Sequence, residues 1–141
     1  MPKKDKILDK ILLLIPLLIL LDQVAKFIFI NKIILIKGFP IILFRQNTGI
    51  AFSLLQNQNI MLILINMFII FLLAYLYFKN INMRLGLILM ISGAVSNTLD
   101  RIFYGYVVDF INFGFWPVFN LADAFASVGL FIIVIKLIKE K

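Results

Sequence analysis

Four long apolar runs, broken by very few polar positions, organise this chain. A helix needs roughly 20 mostly apolar residues to cross a bilayer, and the runs predict spans over residues 11–30, 60–78, 84–103 and 119–138. The first is interrupted by Asp22 and Lys26, and the second, Ile60–Phe78, is unambiguous. The core of the third, Leu85–Leu99, reaches only about 22 Å by helical rise, so it extends in both directions past Arg84 and Asp100. Its Gly86, Ser92, Gly93, Ala94 and Ser96 suit close helix packing, because small side chains let backbones approach. The fourth begins beside Pro117 and carries Asp123 in its first turns. A basic start before an apolar run imitates a secretory signal peptide. This run is too long for one and lacks a small-x-small cleavage pattern, so it is read as retained.

The connections complete the pattern. Residues 31–59 and 104–118 are expected on one side of the membrane. The first of these, 29 residues long, exceeds a bare connection and points to an ordered or functional loop. Within it, Lys37–Gly49 is β-prone and bounded by turn residues, which favours a small sheet on the membrane surface. The expected fold is an all-α membrane protein, a single integral domain over residues 1–141. It has four transmembrane helices and a small β-cradle on the outer face.

Composition reinforces this picture. The chain is 63% hydrophobic and 15% charged, far from the usual soluble balance of about 45–50% and about 25%. A net charge of +7 can signal nucleic acid, but its placement argues for lipid headgroups instead. Lys3, Lys4, Lys6 and Lys10 precede the first span, while Lys136, Lys139 and Lys141 close the chain. With Lys79 and Arg84, nine basic residues lie on the side of the termini. Four lie opposite (Lys32, Lys37, Arg45 and Arg101), with Lys26 inside a span. The positive-inside rule therefore puts both termini in the cytoplasm.

The chain contains no cysteine and no histidine, which excludes thiolate nucleophiles, Ser-His machinery and imidazole- or thiolate-based metal sites. Its only glutamate, Glu140, lies in the tail, so acid–base chemistry falls to Asp, Lys, Tyr or backbone groups. The topology gathers Asp22, Asp100, Asp109 and Asp123 towards the outer face, and ionisable groups at such depths are usually paired or functional. Asp22 and Lys26, spaced i,i+4, can form an anchoring ion pair. Asp100, with Arg101 as its cationic neighbour and expected partner, can likewise be structural, since arginine favours a helix C-terminus. Asn97 shares a face with Asp100. Asp109 and Asp123 differ, because no cationic residue lies between them or within four residues of either. Two such carboxyls can share a proton, activate water and protonate a leaving amine. The alternative is that each caps a helix or meets water. Serine-lysine chemistry is also open, with Ser53, Ser92, Ser96 or Ser127 and Lys26 as base.

At these residues the sequence resembles the lipoprotein signal peptidase family, signal peptidase II. The resemblance is carried by Asp22-Gln23 with Lys26, Asn47-Thr-Gly49-Ile-Ala51-Phe52 and Gly93-Ala-Val-Ser-Asn97-Thr-Leu-Asp100-Arg101. It continues through Gly105-Tyr-Val107-Val108-Asp109-Phe110 and Phe119-Asn120-Leu-Ala122-Asp123. It implies an aspartic endopeptidase of the bacterial inner membrane, with catalytic Asp109 and Asp123. Its substrates are diacylglyceryl-modified prolipoproteins, cut just before the lipidated cysteine. Asp22, Lys26, Asn47, Gly49, Asn97, Asp100, Arg101, Asn120 and Ala122 match supporting positions, and the segment after Gly49 resembles a mobile lid. No metal or other cofactor and no nucleic-acid partner is implied. Inhibition by globomycin-type cyclic peptides is, and both aspartates on one chain make a monomer sufficient. Ala124-Phe125 departs from relatives that carry a small polar residue after the second aspartate. Two other functions compete: a proton- or cation-coupled transporter or channel subunit using the aspartates, and an assembly protein associating through the third helix. Transport would favour broken helices and paired repeats, and the sequence carries neither.

Overall fold

The computed structural model describes residues 11–30, 42–49 and 55–140. The basic N-terminal tail, Lys141 and the expected lid at 50–54 lie outside them. Helix α1 spans Leu14–Ile30 and is preceded by helical Ile11 and Leu12. The break at Leu13 follows from Pro16, which has no N–H to offer the carbonyl of Leu12 and crowds it. Helices α2 (Asn59–Lys79), α3 (Arg84–Tyr104) and α4 (Leu121–Lys139) follow, with a single 3₁₀ turn at Ile81–Met83 joining α2 to α3. These three are long and apolar enough to cross a membrane, with mean hydropathies of 2.6, 1.2 and 2.2.

Their burial differs in the way the sequences require. Helix α2 hides little beyond Leu62, Leu73 and Tyr77, and α4 hides Ala122 and Gly129. Apolar residues cover the rest of both helices and suit contact with lipid tails. Helix α3 is the central post. It packs against α1, α2 and α4, most extensively against α4. Small residues make that packing possible. A Cβ on Gly93 would stand 2.3 Å from the carbonyl oxygen of Ala122, and one on Gly129 would stand 2.5 Å from that of Gly86. The small side chains of the third run thus serve the close approach their sequence suggests. Leu73, Tyr77, Leu87, Ile88 and Ile91 form the buried apolar cluster between α2 and α3.

At the far end of α3, Gly105 ends the helix at φ +79, a left-handed conformation that costs glycine nothing, and its N–H bonds Arg101 O at 3.2 Å. The chain then enters β2 (Val107–Ile111), which pairs antiparallel with β1 (Ile42–Asn47) in the register Arg45↔Asp109, Gln46↔Val108 and Asn47↔Val107. The expected sheet is therefore present, but its second strand comes from the 104–118 segment, which its sequence marks only as a connection. Past β2 the chain doubles back. Phe110 and Ile111 donate their N–H groups to Phe119 O at 3.0 and 2.8 Å, which delivers Asn120 and the start of α4 beside β2. The fourth apolar run accordingly becomes helical at Leu121 rather than at Phe119.

Candidate active site

The polar residues of α1, α3, β2 and the α4 N-terminus meet in one buried network. Lys26 is its cationic centre. Its Nζ lies 2.6 Å from Asp22 Oδ2 and 2.8 Å from Asp100 Oδ2, and donates to Asn97 Oδ1 at 2.9 Å. All three donor positions of the ammonium are thereby used. The two carboxylates are fully buried and Lys26 is 1% exposed, so each charge depends on the others. Asp22 also accepts from Ser96 Oγ (2.7 Å) and from the Ala122 N–H (2.9 Å). That second bond ties α1 to an orphan N–H in the first turn of α4, and helix starts favour a negative charge. Asp100 accepts from Gln23 Nε2 (2.7 Å) and from the Val108 N–H (3.1 Å), which holds β2 against α3.

One expectation is corrected here. Asp100 is paired with Lys26 across the bundle, and among the described residues Arg101 makes no ion pair with it. Adjacent residues on a helix point about 100° apart, so Arg101 leaves Asp100 and donates from one terminal nitrogen, Nη2, to the Gly49 carbonyl at 2.5 Å. Its Nη1 is buried without a partner among the described residues. Arg101 joins α3 to the end of the β1 segment, and Asn59 Nδ2 adds α2 by donating to Arg101 O at 3.0 Å.

Asp109 and Asp123 are brought together by asparagines. Asp109 sits in β2, where its Oδ1 accepts from Asn120 Nδ2 and its Oδ2 from Asn47 Nδ2, both at 2.9 Å. Asp123 occupies the third position of α4. Its Oδ1 accepts from Asn97 Nδ2 at 2.8 Å, while its Oδ2 accepts from the Asn120 N–H at 3.2 Å. In return Asn120 Oδ1 accepts from the Asp123 N–H at 2.9 Å, a reciprocal cap that fixes both side chains. Asn120 and Asn97 are themselves bonded, Nδ2 to Oδ1, at 3.0 Å. The i,i+3 spacing of Asn120 and Asp123 thus has a helix-capping role as well as an orienting one.

Both carboxyls line a cavity of about 640 Å³ together with Asn47, Gly49, Asn97 and Arg101. Burial, and then the neighbouring Asp123 charge, push the Asp109 carboxyl up from its ordinary value to about 7, against the opposing help of Asn47, Lys26 and Asn120. Among the described residues no group of carboxylates is arranged to hold a metal ion, and the cation between Asp22 and Asp100 is the lysine ammonium. Asp22, Lys26, Asn47, Gly49, Asn97, Asp100, Arg101, Asp109, Asn120, Ala122 and Asp123 all join the network or border it, whereas Ser92 bonds to Ile88 O of its own helix and Ser53 lies outside the described residues. Gln23 and Ser96 belong to it equally, Ser96 as a hydrogen-bonding partner of Asp22 and Gln23 rather than as the nucleophile that serine-lysine chemistry would need.

Such a fold and site define a multi-pass membrane protein that keeps two carboxyls in an accessible cavity lined by both polar and apolar side chains. The family model described as Signal peptidase (SPase) II matches residues 14–139, and the chain belongs to that family. It is 35% identical to the lipoprotein signal peptidase of Halothermothrix orenii, over 89% of this chain and 92% of that protein. The Clostridium tetani lipoprotein signal peptidase is 38% identical over 92% of each chain. A bacterial membrane enzyme solved by the in meso method at 2.3 Å superposes with a TM-score of 0.82. It is 29% identical over 94% of this chain and 89% of that one. A second, solved at 1.9 Å, gives a TM-score of 0.81 at 28% identity, over 94% of this chain and 95% of that one. Nothing among these relatives favours the transporter or channel alternative.

Proposed function

We propose that this chain removes the signal peptide from diacylglyceryl-modified bacterial prolipoproteins, as an aspartic endopeptidase that cuts just before the lipid-bearing cysteine. One observation carries the reading: in a chain of the signal peptidase II family, Asp109 and Asp123 reach one cavity through a shared pair of asparagines. With the acidity of Asp109 weakened to about 7, the pair keeps one shared proton near neutral pH. The ionised carboxylate takes a proton from the attacking water while its protonated partner gives its proton to the scissile carbonyl oxygen. As the C–N bond breaks, the carbonyl re-forms and returns a proton to that partner, and the first carboxyl delivers its proton to the leaving amine. Asn97, Asn120 and Asn47 keep the acceptor lone pairs aimed, and Lys26 with Asp22 and Asp100 holds the helices that carry them.

The chain works as one integral unit with four spans. Helix α1, about 26 Å long by helical rise, is the fourth, and its site-facing Asp22 and Lys26 are what lower its apolar character. The nine-to-four distribution of basic residues supports cytoplasmic termini in the bacterial inner membrane and a site near the outer face. Both carboxyls belong to one chain, so a monomer suffices, and globomycin-type cyclic peptides are expected to occupy the cavity. The test is a fluorescent diacylglyceryl peptide incubated with the purified full chain in lipid. Cleavage immediately before the modified cysteine is expected. Absence of cleavage by correctly folded protein would overturn the reading.

A further inference from the structure

Helices α2 and α4 both pack on α3, yet have few contacts with each other. The cavity that holds the carboxyls extends into the space between them. Leu62 and Asn66 form its wall on α2, and Ala126 and Ser127 form it on α4. Both helices start at the site, so these residues lie deeper than the carboxyls. Asn66 is seven residues into α2, about 10 Å along its axis, and Ser127 is about 6 Å beyond Asp123. Asn66 is the only amide or hydroxyl side chain in α2 between Asn59 and Tyr75. It makes no side-chain hydrogen bond among the described residues, and neither does Ser127. A free amide and a free hydroxyl are thus placed on opposite walls of a cleft between two lipid-facing helices.

A substrate cut at the end of its signal helix poses a specific problem in that cleft. The scissile bond must be extended to be attacked, so the helix stops just before it, and its last four carbonyls lose their intrahelical donors. In hydrocarbon each such group is costly, because no water replaces the partner. These carbonyls fall within about one turn of the scissile bond, the depth at which Asn66 and Ser127 line the cavity. We propose that Asn66, assisted by Ser127, caps the C-terminal end of the substrate's signal helix. The pair thereby selects substrates whose helix ends one turn from the cleavage point. The inference rests on the reading of the chain as a prolipoprotein signal peptidase and adds a specificity-determining pair to it.

The test compares two diacylglyceryl peptides, one with a full signal helix and one truncated to the few residues before the modified cysteine. Asn66→Leu, which only makes α2 more apolar, should lower the ratio of kcat/KM for the helical over the truncated peptide by about tenfold, the worth of one well-made hydrogen bond. Ser127→Ala should lower it less, and Asn66→Gln should restore part of the loss. An unchanged ratio in Asn66→Leu would overturn the inference while leaving the protease reading intact. Equal losses on both peptides would also overturn it, by assigning Asn66 to support of the site. Failure of wild type to cut either peptide would instead strike the protease reading itself.

Discussion

Asp109→Asn isolates what burial does to this carboxyl. Asparagine keeps the shape of the protonated acid and one acceptor oxygen, but cannot ionise. In the wild-type fold the acidity of Asp109 is weakened from 3.8 to about 7. Its contribution to stability is therefore full below about pH 4 and is lost progressively as the pH rises through about 7. At about 1.4 kcal/mol per tenfold change in acid dissociation, the ceiling on that loss is about 4 kcal/mol. Half of it, about 2 kcal/mol, falls between about pH 5.5 and pH 8.5. Against this, the variant turns an amide NH₂ towards either Asn47 Nδ2 or Asn120 Nδ2, which costs about 1 kcal/mol at every pH. Wild type and Asp109→Asn should therefore be compared by thermal unfolding in lipid nanodiscs at about pH 5.5 and pH 8.5. The variant should gain on wild type by about 2 kcal/mol as the pH rises between those values. A difference that stays flat, or that moves against the variant at the higher pH, would refute the claim that Asp109 is held protonated by its surroundings.

Three other outcomes follow from the packing and the charge pattern. Lys26→Met strands two fully buried carboxylates, and should cost about 3–5 kcal/mol with loss of folded yield; a variant as stable as wild type would show that the ion cluster holds nothing together. Gly93→Ala forces a methyl against the Ala122 carbonyl and should cost about 1–3 kcal/mol in thermal unfolding, whereas Gly105→Ala, with open space but φ +79, should cost about 1 kcal/mol. Single cysteines at Asn57 or Gly114 should react with an impermeant thiol reagent added to intact cells, and one at Asn80 should not; labelling of Asn80 alone would invert the topology.

The sequence made the helices legible because apolar runs of this length have one use, and it marked α3 as a close-packing helix because small residues cluster on it, without saying that α4 is the partner. It did not reveal β2. Val107, Val108 and Phe110 are buried on both faces around Asp109, so the strand shows no alternation to mark it. Sequence proximity also misled. Arg101 stands next to Asp100, whereas the partner Lys26 lies on another helix and is found only by folding the chain. The grouping of four aspartates was readable from topology and the family motifs marked Asn47, Asn97 and Asn120, but the bonds by which these asparagines connect the carboxyls were not readable. Asn120 reaches Asp109 only because the chain reverses between β2 and α4. Asn66 drew no notice, since one amide in an apolar helix reads as noise until the cavity wall behind it is seen.

The most direct test of the paired-carboxyl mechanism is turnover of a diacylglyceryl peptide by wild type, Asp109→Asn, Asp123→Asn and the double variant, with folding checked independently. Each single variant should lose about 10²-fold or more, and the double variant should be little worse than either, because the two carboxyls act as one acid–base unit. Near-normal turnover by either single variant, or losses that multiply in the double variant, would contradict it.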